Sequence, residues 1–177
     1  MNSGNPRTPV RGQAGFTLIE LVVVISILAI LSGVLVPRVT SHLKAARDAR
    51  RLADIKAVRS AIEQYYTDKG SYPTANANSS YGGWDVSSDG DFIRILRDEG
   101  YMDEDAVDPI NDATYHYRYY VYAKGSYGCA GNSDFYVLGI RSFESDDFAA
   151  KNKGFFECSS RNWNDEFAFV TGGGAGK

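Results

Sequence analysis

Residues 16–36 read FTLIELVVVISILAILSGVLV, an apolar run with a single ionisable side chain, Glu20. A helix rises about 1.5 Å per residue, so this run is long enough to cross a hydrocarbon core roughly 30 Å thick. A buried helix of a soluble protein is rarely so apolar over such a length. The sequence therefore predicts a membrane-spanning helix over residues 16–37.

The segment ahead of this helix, residues 1–15, reads MNSGNPRTPVRGQAG and is polar, with Arg7 and Arg11 as its charges. Two interpretations are open at this point. Residues 1–15 are a leader cut off before the apolar run. Alternatively, the run is the core of a secretory signal peptide, which would be cut behind it, near Ser32 to Val34.

The residues behind the apolar run predict a second, amphipathic stretch of helix over residues 38–70. Pro37 is predicted to kink the chain where the two stretches meet, and Gly70 is a stop signal. Charged side chains occupy the other faces of the helix, and apolar ones recur every three or four residues. These apolar residues are Val39, Leu43, Ala46, Ala49, Leu52, Ile55, Val58, Ile62 and Tyr65.

Residues 71–177 are predicted to form a globular head that covers this apolar stripe. A Ser-, Asn- and Gly-rich loop opens the head, and a short helix follows at residues 92–99 with Asp91 as its cap. Strands are predicted at residues 114–122, 135–143, 154–158 and 166–170. A long helix laid across a small antiparallel sheet is an α+β fold.

Charge divides the chain into two parts. Residues 1–69 contain ten Lys/Arg and five Asp/Glu, whereas residues 70–177 contain nine and seventeen. An acidic head is a poor partner for phosphates, so no nucleic acid is expected there. The tyrosines at 115, 117, 119, 120 and 122 could stack on bases, but are more typical of a strand with one buried face.

The head also contains both cysteines of the chain, Cys129 and Cys158. In an exported head they are expected to form a disulfide. No nucleophile–base pair and no phosphate-binding glycine loop accompanies His42 or His116, so an enzyme is not expected.

At Gly15-Phe16-Thr17-Leu18-Ile19-Glu20 the sequence resembles the type IV pilins and the pseudopilins of type II secretion. The shared features are a basic polar leader, Gly before the cut, Phe opening the mature chain and Glu as its fifth residue. Pro37 also fits, and the resemblance is strongest over residues 11–37. It implies a pilin fold and cleavage between Gly15 and Phe16 by a prepilin peptidase, which also methylates the amine of Phe16.

Glu20 carries the most information about assembly. A carboxylate in a membrane helix costs about 2.5–3.5 kcal/mol on insertion scales and usually has a function. The new amine of Phe16 is mostly cationic at neutral pH and lies about one helical turn away. The resemblance implies that Glu20 and Pro37 serve assembly, with Glu20 setting the register between subunits. The alternative is an acid tolerated at the membrane interface.

Glu144, Asp146 and Asp147 are candidate calcium ligands, since they offer hard oxygen atoms in one loop. Major pseudopilins bind calcium in a loop at a comparable place, behind a strand resembling Leu138-Gly139. The spacing of an EF-hand is absent, and acidic turns without a metal are common. Calcium is therefore the one cofactor considered.

The main function expected from the resemblance is a structural subunit of an extracellular type IV pilus-like filament. The alternatives are a pseudopilin that forms a periplasmic piston for type II secretion, and a minor tip pilin that binds a ligand or DNA. The implied partners are further copies of the chain, the peptidase, an inner-membrane assembly platform and, before assembly, the membrane. The implied location is a single-pass inner-membrane precursor, followed by a periplasmic or cell-surface filament.

Overall fold

The computed structural model describes residues 15–174, without the side chains of residues 34–37. The predicted leader up to residue 14, the last three residues and the side chain of Pro37 therefore lie outside the described residues. Two compact units meet between Thr40 and Ser41. Each is described by itself.

The first unit contains the start of helix α1, whose bounds are Leu18–Lys69. Its apolar side chains are exposed throughout the described part of the run; Leu18 is 81% and Ile30 71% exposed. The core helix of a soluble protein would bury such residues, whereas none of this stretch is buried. By length and composition α1 is able to cross a membrane, as the sequence predicts.

In the second unit, α1 packs through one face and ends where the sequence predicts. Ile55, Val58 and Ile62 are at most 1% exposed. Gly70 follows the last helical residue with φ of 73° and donates its N–H to the carbonyl of Tyr66 at 2.8 Å. A positive φ is costly for residues with a Cβ, so this glycine ends the helix.

The apolar stripe of α1 is covered over only part of its length. Leu43 is 52% exposed, and Ala46 and Ala49 are exposed as well. The first residue of α1 in the hydrophobic core is Ile55, so the head covers the later part of the predicted stripe.

The head is built on a four-stranded antiparallel sheet with the order β1-β2-β3-β6. These strands are β1 (Asp85–Val86), β2 (Tyr117–Tyr122), β3 (Phe135–Ile140) and β6 (Phe169–Gly173). The other elements are α2 (Ile95–Asp98), α3 (Asp146–Lys151) and a separate two-stranded ribbon of β4 (Glu157–Cys158) and β5 (Arg161–Asn162). The predicted α+β class is confirmed.

Three details of the predicted head are wrong. The strand expected at residues 154–158 shrinks to β4 and pairs with β5 outside the main sheet. The last strand begins at Phe169, three residues later than expected. The short helix has only one turn and no side-chain cap, so Asp91 does not cap it. Short elements carry too few residues for their period to be read from sequence.

Both faces of the sheet are covered, because side chains of a strand alternate between its faces. On one face, Tyr119, Tyr136 and Leu138 pack with Ile55 and Ile62 of α1. On the other face, Phe135 and Val137 pack in an aromatic cluster with Trp84, Phe156, Trp163 and Phe167. The central strand β3 is buried throughout, so the head has a core on each side.

The disulfide between Cys129 and Cys158 closes the aromatic side of the head. The two Cα atoms lie 4.7 Å apart, and the cysteines are 29 positions apart in sequence. Cys129 is buried in the aromatic cluster and Cys158 packs against it. In the chain-entropy model a loop of this size stabilises the fold by about 3–4 kcal/mol. The bond ties β4 to the loop that follows β2.

A buried ion network attaches α1 to two loops of the head. Arg51 is fully buried, and its guanidinium forms two hydrogen bonds with Asp108, at 2.7 and 3.0 Å. The same group donates to Asp48 at 2.6 Å and to Glu144 at 2.9 Å. Arg47 forms a second ion pair with Glu144, 2.7 Å from Nε to Oε1. Three carboxylates thus converge on one guanidinium.

The carboxylates of this network also hold the backbone of both loops. Asp48 accepts the N–H groups of Glu144 and Ser145, and Asp108 accepts those of Ile110 and Asn111. Hydrogen bonds from Arg47 lower the pKa of Glu144 to about 2, against the opposing effect of its burial. A lowered carboxyl pKa stabilises the fold above the unfolded value near 4.5, and this stability is lost as pH falls towards 2.

We expect Arg51→Met to destabilise a soluble fragment of residues 41–177 by about 3–5 kcal/mol, because three carboxylates lose their common cation. Denaturant unfolding monitored by circular dichroism measures this loss. The matched control is Arg50→Met, since the Arg50 side chain is 68% exposed and should change stability by less than about 0.5 kcal/mol. Equal losses in the two variants would contradict the role assigned to Arg51.

Candidate functional site

The predicted cleavage junction lies in exposed, non-helical chain just ahead of α1. Gly15, Phe16 and Thr17 precede the first helical residue, and the Phe16 side chain is 91% exposed. A Cβ added at Gly15 would meet no atom of the described residues within 4 Å, its chain neighbours aside. Within these residues, the space around this position does not require a glycine. Cleavage and methylation here stay predictions.

Glu20 caps the helix that it belongs to. Its Oε2 atom accepts the backbone N–H of Thr17 at 2.8 Å and the hydroxyl of the same residue at 2.8 Å. The Thr17 hydroxyl in turn accepts the N–H of Glu20 at 3.3 Å. Thr followed three positions later by Glu is a capping box, in which two free N–H groups of a helix start are satisfied reciprocally.

The capping-box pattern is present in the sequence as Thr17-x-x-Glu20. The sequence analysis treats Glu20 only as a charge and does not predict the cap. The cap occupies Oε2 alone, and Oε1 has no hydrogen bond among residues 15–174. No cation pairs with Glu20 in that part of the chain. The helix start therefore combines a satisfied backbone with an uncompensated negative charge, which the positive end of the helix dipole favours.

One serine of the apolar run is satisfied within the helix. Ser26 donates its hydroxyl to the carbonyl of Val22 at 2.7 Å. In lipid a polar group needs an internal partner, and this back-bonded serine has one.

The candidate calcium ligands do not converge. Glu144 is held by Arg47 and Arg51, whereas Asp146 and Asp147 are exposed in the first turn of α3 behind the N-cap Ser145. Within the part of the chain that the structure describes, no group of three or more His, Cys, Asp or Glu side chains is placed to hold a metal ion. Calcium binding stays a prediction for which the residues do not form a site.

Tyrosines of β2 and β3 attach the sheet to α1 and to the loop behind it. The hydroxyl of Tyr117 donates to Asp54 at 2.9 Å, and that of Tyr119 to the carbonyl of Pro73 at 2.8 Å. Tyr136 of β3 similarly donates to Glu63 at 2.7 Å. Burial raises the pKa of Tyr117 well above its usual range. Tyr117 and Tyr119 thus form part of the core and offer no stacking surface to bases.

Comparison with known proteins places these features in a class. The family described as "Prokaryotic N-terminal methylation motif" matches residues 10–36. Relatives named "Type II secretion system core protein G" are 44% identical over 64 residues in Pseudomonas aeruginosa and 41% in Aeromonas hydrophila. Each match covers 36% of this chain and 45% of the relative, less than half its length. No solved structure matches the chain.

Over about a third of its length the chain is similar to these type II secretion components, and residues 10–36 match the methylation motif, which supports the resemblance to the type IV pilins and pseudopilins. The relatives carry the name of a secretion-system component and not of an enzyme, in agreement with the sequence analysis. They favour the pseudopilin, which was the alternative there, over the type IV pilus subunit that was the main expectation.

The two roles of Glu20, cap and charge, can be separated by substitution. Glu20→Gln keeps an acceptor for Thr17 but removes the charge, whereas Glu20→Val removes both. We expect both variants to insert into membranes, since each removes a group that costs about 2.5–3.5 kcal/mol there, and both to lose filament assembly.

The measurement is the amount of filament sheared from cells, with membrane levels of the subunit as the control. Thr17→Val is the matched variant, because it weakens the cap but keeps the carboxylate. Wild-type assembly by Glu20→Gln would assign Glu20 to the cap alone.

Proposed function

We propose that this chain is a pseudopilin, a structural subunit that polymerises into a periplasmic filament of a type II secretion system. The observation that carries the proposal is the 44% identity over 64 residues to a core protein of that system, together with the methylation motif at residues 10–36. The geometry supports it, because α1 presents a long apolar surface that its own chain leaves uncovered.

The chemistry of the helix start supports an ordered assembly. Before processing, α1 anchors the subunit in the inner membrane, with the junction Gly15-Phe16 exposed ahead of it. A prepilin peptidase then hydrolyses the peptide bond between these residues and methylates the new amine. This step creates a cation near Glu20, whose Oε1 atom is free to accept it.

Pairing across subunits follows from the energetics of the membrane. The carboxylate of Glu20 costs several kcal/mol in hydrocarbon while it is unpaired. The amine of a neighbouring subunit at the same depth offsets this cost, and only one axial position of the two helices brings them together. The partners proposed are further copies of the chain, the peptidase and an inner-membrane assembly platform.

The site of processing is tested by Gly15→Leu. We expect this variant to keep its leader, because a branched side chain hinders the approach of a peptidase to the scissile bond, whereas the chain itself has room for it. Intact-mass analysis of membrane fractions compares it with the wild type, which should begin at methylated Phe16. A wild-type mass that begins near Gly33 would contradict the proposal and indicate a signal peptide.

The function itself is tested by deleting the gene in its host. We expect the substrates of type II secretion to accumulate in the periplasm and to be exported again when the wild-type chain, but not Glu20→Val, is supplied. Unchanged secretion, with loss of a surface fibre of which this protein is the bulk, would contradict the pseudopilin and favour the type IV pilus subunit.

A further inference from the structure

One face of α1 in the second unit is exposed and carries a leucine, an alanine and an arginine. Leu43, Ala46 and Arg50 follow one another at helical spacing, and all three are exposed. Leu43 is 52% exposed, which is unusual for a leucine beside a packed head. The side chain of Arg50 is 68% exposed, and its ion pair with Asp54, 3.8 Å away, is weak. We name Leu43, Ala46 and Arg50 the stalk face.

A second surface complements this face in charge and also carries apolar atoms. An open cleft of about 640 Å³ lies between α1 and the loop behind α2. Ala57, Ala61 and Met102 line it with apolar atoms, and Asp103 and Glu104 line it with carboxylates. Both acids are exposed, and neither forms an ion pair or hydrogen bond within residues 15–174. We name this surface the acidic cleft.

The stalk face and the acidic cleft of one chain cannot meet. Both include residues of the same helix, and seven residues separate Arg50 from Ala57, the nearest α1 residue in the lining of the cleft, about 10 Å along the axis. A partner that offers an exposed leucine and an arginine about two helical turns apart is, however, always present. It is a second copy of this chain.

We propose that the acidic cleft of one subunit binds the stalk face of the next, with Leu43 against the alanines and Arg50 between Asp103 and Glu104. This inference rests on the proposed function and adds a head-to-stalk contact to the pairing of Glu20. The two surfaces differ, so the contact is heterologous and repeats from subunit to subunit as an open filament rather than a closed dimer. Exposed ion pairs are screened by salt, so added salt weakens the contact.

The first experiment is cross-linking of the full-length chain in the membranes of its host. The cysteine pair Arg50→Cys with Glu104→Cys should give a ladder of dimers, trimers and larger species on oxidation, because each subunit offers both surfaces. The matched control replaces Arg50→Cys by Lys151→Cys, an exposed residue of α3. Equal ladders from both pairs, or cross-links only to a different protein, would overturn the proposal.

The second experiment reverses the charges. We expect Arg50→Glu to lower the amount of filament by about ten-fold or more, since it places a third carboxylate beside those of Asp103 and Glu104. The combination Asp103→Lys with Glu104→Lys should do the same, and all three changes together should restore the filament. The control Lys151→Glu should keep it unchanged.

The outcomes of the two proposals are distinguishable. Filament within about two-fold of wild type for Arg50→Glu, or no rescue by the triple variant at normal membrane levels, would overturn the docking proposal alone. Absence of any filament from the unmodified chain would contradict the proposed function, and the cross-link ladder would then decide the docking proposal by itself.

Discussion

The buried ion network around the guanidinium of Arg51 is the interaction on which the head depends. It is fully buried and joins Asp48 of its own helix to Asp108 and Glu144 of two separate loops. A buried charge is costly unless its partners satisfy it, and here Arg51 has four hydrogen bonds and the ring of Tyr115 at 4.9 Å. Burial alone lowers the pKa of Arg51, but hydrogen bonds to Asp108 and Glu144 outweigh it and raise the pKa. The network thereby fixes the position of both loops against α1.

The same network accounts for the behaviour of the calcium candidates. A divalent cation gathers carboxylates because their mutual repulsion is offset by its charge. In this head Arg51 and Arg47 supply that charge to Glu144, so its carboxylate is already in two ion pairs. Positive charge beside Glu144 is thus supplied by two side chains of α1.

The N-terminal end of α1 presents groups that are available for contact with a partner. The helix start is capped by Thr17 and Glu20, the apolar run is uncovered, and one carboxylate oxygen is free. In the second unit, the stalk face and the acidic cleft are likewise exposed. A subunit with a well-packed head and several unsatisfied surfaces along its helix is suited to polymerisation.

The sequence by itself determined the features that depend on neighbouring residues. The long apolar helix, its stop at Gly70 and the alternating strands β2 and β3 follow from local patterns of apolar residues and glycine. The capping box is equally local and was readable in Thr17 and Glu20. Only the tertiary structure decided how far the head covers the helix, which strands join the sheet and what Arg51 contacts. Its partners Asp108 and Glu144 lie 57 and 93 positions away. A strand of two residues such as β1 has no period to detect. The packing of whole elements decides which distant side chains come into contact. A charge can be buried only where that packing places its partners beside the charged group.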